Sequence, residues 1–218
     1  MRKPIKDFVC LAAETLPFLE PVYEFGSLQV EGQEGFADLR DLFPGKEYVG
    51  ADMRPGLGVD VILNLHDIDL PGETAGTVLV MDTLEHVEYP RRALEEVHRL
   101  LKPGGILLAS SVMNYPIHDY PYDYWRFTPE GLRSLLKPFA FTLVDFAGDP
   151  AFPDIIVGVA CKGSLSDEVL RPFRDRLAAW KLEYSTDKPR SFLKQAKEMA
   201  VPPGLRLLWR KFRKTIRK

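Results

Sequence analysis

Short apolar segments alternate with helical segments along the first 163 residues, and this order limits the fold more than any other feature of the sequence. Strands alternating with helices favour a parallel sheet covered by helices on both faces. Strands are predicted at Pro21–Phe25, Glu47–Asp52, Val59–Leu63, Thr77–Met81 and Ile106–Ser110. Helices are predicted at Pro4–Leu16, Phe36–Phe43 and Pro90–Leu101, with another beginning at Thr128.

The last two predicted strands define the end of the sheet. Phe141–Phe146 and Ile155–Cys161 are separated by a short link. A parallel crossover needs a dozen or more residues, so one of these strands must run antiparallel. The expected fold is α/β, a doubly wound and mostly parallel sheet with an antiparallel final strand.

Composition excludes several classes of protein. Hydrophobic residues make up 45% and charged residues 28% of the 218 residues, as in ordinary globular domains. No apolar run approaches the ~20 residues of a membrane span, and the charged N-terminus lacks an apolar signal core. Cys10 and Cys161 stand alone, which argues against a disulfide framework or a zinc ribbon and fits a reducing cytosol. A cytoplasmic location and no bound metal are expected.

Charge is distributed unevenly. Residues 164–218 carry 15 basic and 6 acidic residues (net +9), whereas the preceding 163 residues have a net charge of −11. We therefore expect an acidic domain at 1–163 and a helical extension at 164–218. The extension ends in Leu205–Lys218, where apolar residues share one helical face and basic residues fill the rest. This pattern favours an amphipathic helix on an anionic membrane. RNA binding, a protein partner and docking on the acidic body are alternatives.

Two turns at predicted strand ends are candidates for ligand binding. Val22–Ser27 (VYEFGS) is a strand that ends in glycine, which allows a tight turn and close approach to a ligand. Glu24 beside this turn could meet a cationic amine. Asp52 closes the second strand, 26 residues after Gly26, where a carboxylate can accept hydrogen bonds from ribose hydroxyls.

A longer motif follows the fourth strand. Residues 82–87 read DTLEHV, and the next helix ends in LKPGG at 101–105. These motifs resemble the class I S-adenosylmethionine-dependent methyltransferases of the type 11 group, over roughly residues 21–162. The resemblance implies a seven-stranded sheet with an antiparallel final strand, and transfer of a methyl group from S-adenosylmethionine.

The resemblance also implies a set of cofactor-binding residues. Glu85 and His86 are expected to cap or pack locally rather than to catalyse. Leu28 and Val30 stand where the family has glycines in its first loop. The implied cofactor-binding residues are Glu24, Gly26 and Ser27 in that loop, Asp52 and Met53 at the ribose, Asn64, Leu65 and His66 at the adenine, and Asp82 and Thr83 at the methionine end.

An aromatic segment, Tyr115–Thr128, follows the fifth strand where an acceptor would approach the methyl group. His118 could take a proton from a hydroxyl nucleophile, a role for which the histidine side chain is suited. His118 and Asp123 are the predicted catalytic residues. The alternative is a loop that packs over the sheet, with Arg126 paired to Asp123. The predicted substrate-binding residues are Tyr115, Tyr122, Trp125 and Arg126.

The function predicted from these features is methyl transfer to a small-molecule, saccharide or lipid-linked acceptor. Nucleic acid is not expected as a substrate, because the acidic body repels phosphates. Two alternatives remain open. A dinucleotide-dependent oxidoreductase would need Gly-x-Gly-x-x-Gly after the first strand, and Leu28 breaks that pattern. A non-catalytic scaffold is favoured by Leu28 and Val30.

Overall fold

The computed structural model describes residues 1–119 and 121–185. Seven strands form one sheet in the order β3-β2-β1-β4-β5-β7-β6. The strands are β1 Val22–Phe25, β2 Tyr48–Asp52, β3 Val61–Ile62, β4 Ala75–Val80, β5 Leu101–Val112, β6 Phe141–Asp149 and β7 Phe152–Cys161. The helices are α1 Lys3–Thr15, α2 Pro90–Leu100, α3 Pro129–Leu135 and α4 Asp167–Tyr184, with 3₁₀ turns at Arg40–Leu42 and Leu84–His86.

The final hairpin confirms the predicted sheet. β7 runs antiparallel to both of its neighbours, β5 and β6, while the pairs among β1 to β5 are parallel. Both hairpin strands are longer than predicted, since Gly148 pairs with Pro153 and Asp149 with Phe152. The additional paired residues show no alternation of apolar and polar side chains. The hydrophobic pattern alone could therefore not predict where the two strands end.

Helices cover both faces of the sheet, as the alternating pattern predicts. α2 and α3 bury Leu94, Val97 and Leu132 in one apolar cluster against the sheet. α1 and α4 bury Phe8 and Phe173 in a second cluster on the opposite face. Each face of the sheet therefore has its own hydrophobic core, the arrangement of a doubly wound fold.

The described part of the predicted extension packs on the body. Residues 1–185 form one compact unit, which includes the first part of the predicted extension. The indole of Trp180 in α4 donates from Nε1 to the carbonyl of Pro4 at 2.8 Å. Its ring lies 5.8 Å from that of Phe8, centroid to centroid. The predicted tail helix, Leu205–Lys218, lies outside the described residues.

The helix predicted at Phe36–Phe43 is wrong, because only a 3₁₀ turn at Arg40–Leu42 is present. The ammonium group of Lys6 donates to the carbonyls of Phe36 (2.7 Å) and Asp38 (3.1 Å). The Asp38 carboxylate accepts from the Arg40 backbone N–H at 2.9 Å. These partners occupy groups that a helix would pair within itself, and a short polar side chain such as Asp38 favours a turn over a helix interior.

Candidate functional site

The candidate site lies where the central parallel strands end. β1 lies between β2 and β4, and all three run in the same direction. Strand order reverses between β1 and β4, since the chain moves outward from β1 to β3 on one side and returns to β4 on the other. In open α/β sheets ligands bind outside the carboxyl ends of the strands at such a switch point. The predicted turns after β1, β2 and β4 are therefore brought together.

Gly26 and Thr83 join the turns after β1 and β4. Gly26 has φ +85°, and a Cβ at this position would overlap Thr83 Oγ1. The Thr83 hydroxyl donates to the carbonyl of Met81 at 3.0 Å and lies 3.3 Å from that of Phe25. Glycine is required here on both counts, since left-handed backbone is costly for other residues and there is no room for a side chain. The result is a narrow backbone turn at the switch point.

Asp52 lies one strand away from Gly26. The Gly26 N–H donates to the carbonyl of Ala51 at 2.9 Å, which holds the β1 turn against the end of β2. The Asp52 side chain is 10% exposed, and its Oδ1 accepts from the Arg54 N–H at 2.9 Å. Met53, beside it, is exposed. Both residues lie at the end of β2, and their ribose-binding role stays a prediction.

Glu24 is placed differently from the residues of the loop that follows it. It is buried within β1, where the Tyr48 hydroxyl donates to Oε2 at 2.7 Å. Burial raises the pKa of Glu24 to about 7. Ser27, in the loop itself, has a buried Oγ with no hydrogen-bond partner among the described residues. Ser27 thus offers a polar atom for a ligand, whereas Glu24 already has a partner.

The turn after β3 is fixed by His66. The Asn64 Oδ1 accepts from the His66 N–H at 2.9 Å and lies 3.1 Å from His66 Nδ1. The backbone N–H of Tyr89 donates to His66 Nε2 at 3.1 Å, which assigns the ring proton to Nδ1. Burial lowers the pKa of His66. Leu65 is buried in the core, so its side chain supports the turn from beneath.

Asp82, at the predicted methionine end, has a partner that the motif does not show. The Arg2 guanidinium forms an ion pair with its carboxylate at 3.2 Å, and the Ser110 hydroxyl donates to Oδ1 at 2.9 Å. The Arg2 guanidinium also lies over the ring of Tyr115, 5.2 Å from its centroid. The N-terminal segment therefore reaches the same edge of the sheet. No pattern around Arg2 in the sequence signals this contact.

Asp123 and Arg126 form the ion pair that the alternative interpretation of the aromatic segment predicts. The Asp123 side chain is only 1% exposed, and Arg126 donates to its two oxygens at 2.6 and 2.7 Å. This pairing holds the pKa of Asp123 well below its usual range, which makes the carboxylate a poor proton acceptor. Asp123 also accepts from the His118 N–H at 2.8 Å. The geometry fits a positioning role for Asp123, and the catalytic assignment of His118 stays a prediction.

The rest of the aromatic segment is hydrogen-bonded to residues 84–88. The N–H groups of Tyr124 (2.8 Å) and Trp125 (3.2 Å) donate to the carbonyl of Glu85. The Trp125 indole donates to the carbonyl of Val87 at 3.0 Å. The side chains of Tyr115, Tyr122 and Trp125 remain largely exposed. They are therefore available to an acceptor, as the predicted substrate-binding role requires.

Glu85 and His86 are more closely tied to the site than their predicted local role suggests. Glu85 is fully buried, and its Oε2 accepts from the Ser111 hydroxyl at 2.6 Å. Burial, with a contribution from the nearby charge of Asp82, raises the pKa of Glu85 to about 8. The rings of His86 and His118 meet edge to face, with centroids 4.7 Å apart. His118 lies 32 residues after His86, so no local spacing connects them in the sequence.

An open cleft of about 650 Å³ lies elsewhere, along α2 and α3. It shares Trp125 with the aromatic segment and none of the predicted cofactor-binding residues. It is therefore separate from the predicted cofactor site. Its lining includes Tyr89, Arg92, Phe127 and Leu135.

Sequence comparison finds a family that matches one segment of the chain and one curated relative. Residues 39–109 match the family described as Methyltransferase domain, of type 11. A curated relative, the ubiquinone/menaquinone biosynthesis C-methyltransferase UbiE of Hydrogenovibrio crunogenus, is 30% identical over 103 residues. The match covers 44% of this chain and 41% of that relative. The chain thus spans less than half the length of the curated relative.

Solved structures share the fold. An S-adenosylmethionine-dependent methyltransferase from Archaeoglobus fulgidus aligns with a TM-score of 0.58 at 15% identity, covering 74% of this chain and 95% of the other. The 1,6-didemethyltoxoflavin-N1-methyltransferase of Burkholderia thailandensis, solved with S-adenosylhomocysteine, aligns with a TM-score of 0.52 at 16% identity, covering 74% and 79%. The chain thus shares the fold of class I S-adenosylmethionine-dependent methyltransferases, and its residues 39–109 match the methyltransferase-domain family.

Proposed function

We propose that the chain binds S-adenosylmethionine at the carboxyl edge of β1, β2 and β4 and transfers its methyl group to an acceptor. The narrow turn at Gly26 against Thr83 is the observation that carries this proposal. It lies at the switch point of the sheet, where ligands bind in open α/β sheets. The buried, unpartnered Ser27 Oγ supplies a polar atom beside it. Both features fit a ligand with an adenosyl and an amino-acid part.

The residues of the chain support methyl transfer mainly by positioning. S-adenosylmethionine, when bound, supplies an electrophilic methyl group on sulfur. Orientation of two reactants can provide effective molarities of ~10⁵–10⁸ M, so a dedicated base is optional. His118 could receive a proton from a hydroxyl acceptor, because its ring is 34% exposed and Asp123 holds its backbone in place. The exposed aromatic side chains would exclude water around the acceptor.

Calorimetric titration of the full-length chain separates this proposal from its alternatives. Binding of S-adenosylmethionine without binding of NAD supports the methyltransferase and contradicts the oxidoreductase. Binding of neither contradicts both and supports a scaffold, for which Leu28 and Val30 are the motivating residues. Incubation with candidate acceptors and detection of S-adenosylhomocysteine then tests catalysis.

Charge guides the proposed class of acceptor. Residues 1–163 have a net charge of −11, which disfavours polyanions such as nucleic acids. A small molecule, a saccharide or a lipid-linked compound is compatible with this field. We propose one of these as the acceptor, and a cytoplasmic location for the reaction.

Asp52→Ala is expected to weaken S-adenosylmethionine binding about 10- to 150-fold. This range corresponds to the ~1.5–3 kcal/mol of hydrogen bonds to a charged group. Titration calorimetry measures the change. Asp175→Ala is the matched control, since Asp175 is exposed on α4. Equal affinities of the Asp52→Ala variant and the parent chain would remove Asp52 from the site.

The basic tail is proposed to hold the chain at anionic lipid. Within the described residues no helix has the length and apolar character needed to cross a bilayer. Residues 206–218 include seven basic residues and no acidic one. Each basic residue near an anionic surface contributes about 1 kcal/mol, and salt screens the attraction.

Deleting residues 205–218 is therefore expected to abolish binding to anionic vesicles while leaving cofactor affinity unchanged. Replacing Trp209 and Phe212 by serine should weaken attachment even at low salt, because both lie on the apolar face of the predicted helix. Vesicle sedimentation measures both effects. Failure of the full-length chain to bind anionic vesicles at low salt would contradict the membrane proposal and favour a protein partner.

A further inference from the structure

We infer that Glu85, His86 and His118 form a binding site for a divalent first-row transition metal, with Zn²⁺ as the best-matched ion. Each residue offers one ligand atom, and these atoms lie within 4.8 Å of one another. The sequence analysis predicts no bound metal, because it shows only two isolated cysteines, and these three residues come together only in the fold. The inference rests on their arrangement in the fold and is independent of the proposed function.

Glu85 supplies the first indication of a ligand. Its side chain is fully buried, and Ser111 occupies only one of the two carboxylate oxygens. The other oxygen, Oε1, has no hydrogen-bond partner among the described residues. A buried polar atom without a partner is destabilising and rare in folded proteins. Coordination to a cation would satisfy this oxygen.

The hydrogen bonds of the two histidines indicate which ring nitrogen could coordinate. His86 Nδ1 lies 2.8 Å from the carbonyl oxygen of Tyr122, and His118 Nδ1 lies 3.2 Å from that of Pro116. A carbonyl oxygen can only accept, so Nδ1 carries the proton in each ring and Nε2 keeps its lone pair. Asp123 adds a carboxylate oxygen 3.3 Å from His118 Nδ1. Metal-binding histidines are commonly fixed in this way by an oxygen on the second nitrogen.

The ligand set indicates the kind of ion. Two imidazoles and one carboxylate are the protein ligands of catalytic zinc sites and of non-haem iron sites, which keep open coordination positions. Mg²⁺ prefers oxygen ligands and fits this set less well. Metal–ligand distances of about 2.0–2.1 Å place tetrahedral ligand atoms about 3.3 Å apart. Binding would therefore draw the three side chains together by up to about 1.5 Å.

The location of the site indicates what an open coordination position of the metal could bind. Glu85 and His86 follow directly on Asp82 and Thr83, and His118 lies on the aromatic segment. A metal ion here would lie between the predicted methionine end of the cofactor and the predicted acceptor residues. An oxygen of the acceptor could then occupy the open position, and His118, as a metal ligand, would no longer act as the proton acceptor. This last step rests on the proposed function, whereas the metal site does not.

Metal binding is tested on the full-length chain, expressed without a polyhistidine tag and stripped with a chelator. Titration with Zn²⁺ should show one equivalent bound, and Co²⁺ should give a visible absorption spectrum typical of nitrogen and oxygen ligands. Glu85→Gln and His118→Gln should each weaken binding by at least about 100-fold, since loss of outer partners alone costs 10- to 100-fold. His98→Gln is the control, because His98 lies outside the cluster, where its ring meets that of Phe139 edge to face.

His118→Gln keeps the test decisive, since His118 is partly exposed on a loop and its replacement leaves both cores intact. Circular dichroism verifies that each variant is folded. Zn²⁺ should raise the unfolding temperature of the parent chain and of His98→Gln, but not that of His118→Gln. The inference is overturned if the parent chain binds no Zn²⁺, if folded His118→Gln binds it equally well, or if His98→Gln loses as much affinity. None of these measurements involves S-adenosylmethionine.

Discussion

Replacing Arg126 by alanine is expected to lower the free energy of unfolding by about 3 kcal/mol at neutral pH. The Asp123 carboxylate is 1% exposed and receives both of its strongest hydrogen bonds from Arg126. Removing one partner of a buried ion pair leaves an uncompensated charge, which costs about 3–5 kcal/mol. Arg126 also donates to the carbonyls of Tyr115 (3.1 Å) and Pro116 (2.9 Å), so the segment loses its internal links. Urea denaturation measures the change.

Two control variants distinguish the cost of breaking a buried ion pair from the cost of removing a positive charge alone. Arg133 forms an exposed pair with Glu130 at 3.1 Å, and Arg133→Ala should change stability by no more than about 1 kcal/mol. Adding Asp123→Asn to Arg126→Ala should recover part of the loss, because it removes the unpaired charge. A cost for Arg126→Ala as small as that for Arg133→Ala would contradict the buried pair.

Glu24→Gln is expected to stabilise the protein by about 3 kcal/mol above pH 8 and to have little effect near pH 4. Burial raises the pKa of Glu24 from its ordinary 4.5 to about 7 in the folded state. Between these values the folded state binds more protons than the unfolded state, so stability falls as pH rises. The full cost is present above the folded pKa, and the difference in pKa corresponds to about 3 kcal/mol.

Glutamine removes this titration while its amide oxygen can still accept from Tyr48. Urea denaturation across the pH range, with Glu24→Gln compared against the parent chain, isolates the contribution of Glu24 from that of other groups. Glu31→Gln, at an exposed position in the following loop, is the matched control. A stability difference between the Glu24→Gln variant and the parent chain that does not change with pH would show that Glu24 is not held neutral in the fold.

Local features were sufficient to predict a mostly parallel sheet with an antiparallel strand at its end. The alternation of strands and helices predicts parallel pairing, and the short link before Ile155 predicts an antiparallel strand, because chain length alone forbids a crossover. The cap at Thr128 was also predictable, since its hydroxyl accepts from the Gly131 N–H at 3.0 Å within one turn of helix. The turns at Gly26 and Asp52 were found because strand ends meet at one edge of a parallel sheet.

Contacts between distant parts of the chain could not be predicted in the same way. Arg2 pairs with Asp82 across 80 residues, and no periodicity relates them. Lys6 binds the backbone carbonyls of Phe36 and Asp38, which a helix at Phe36–Phe43 would pair within itself, and only the tertiary fold brings it there. The meeting of Glu85 with His118 likewise depends on how the aromatic segment folds back over the turn after β4.

The hydrogen bonds between that turn and the aromatic segment have a consequence for how acceptor preference could change. Main-chain oxygens link the two segments to the N–H groups of Tyr124 and Trp125, the indole of Trp125 and the ring of His86. The backbone paths of the two segments are therefore matched to each other, as are the side chains of His86 and Trp125. If residues 115–126 alone were replaced by the loop of a relative, the new loop would lack the hydrogen-bond partners that it needs in residues 84–88. A new specificity is therefore expected to require exchange of residues 84–88 and 115–126 as a pair, with the sheet beneath them left unchanged.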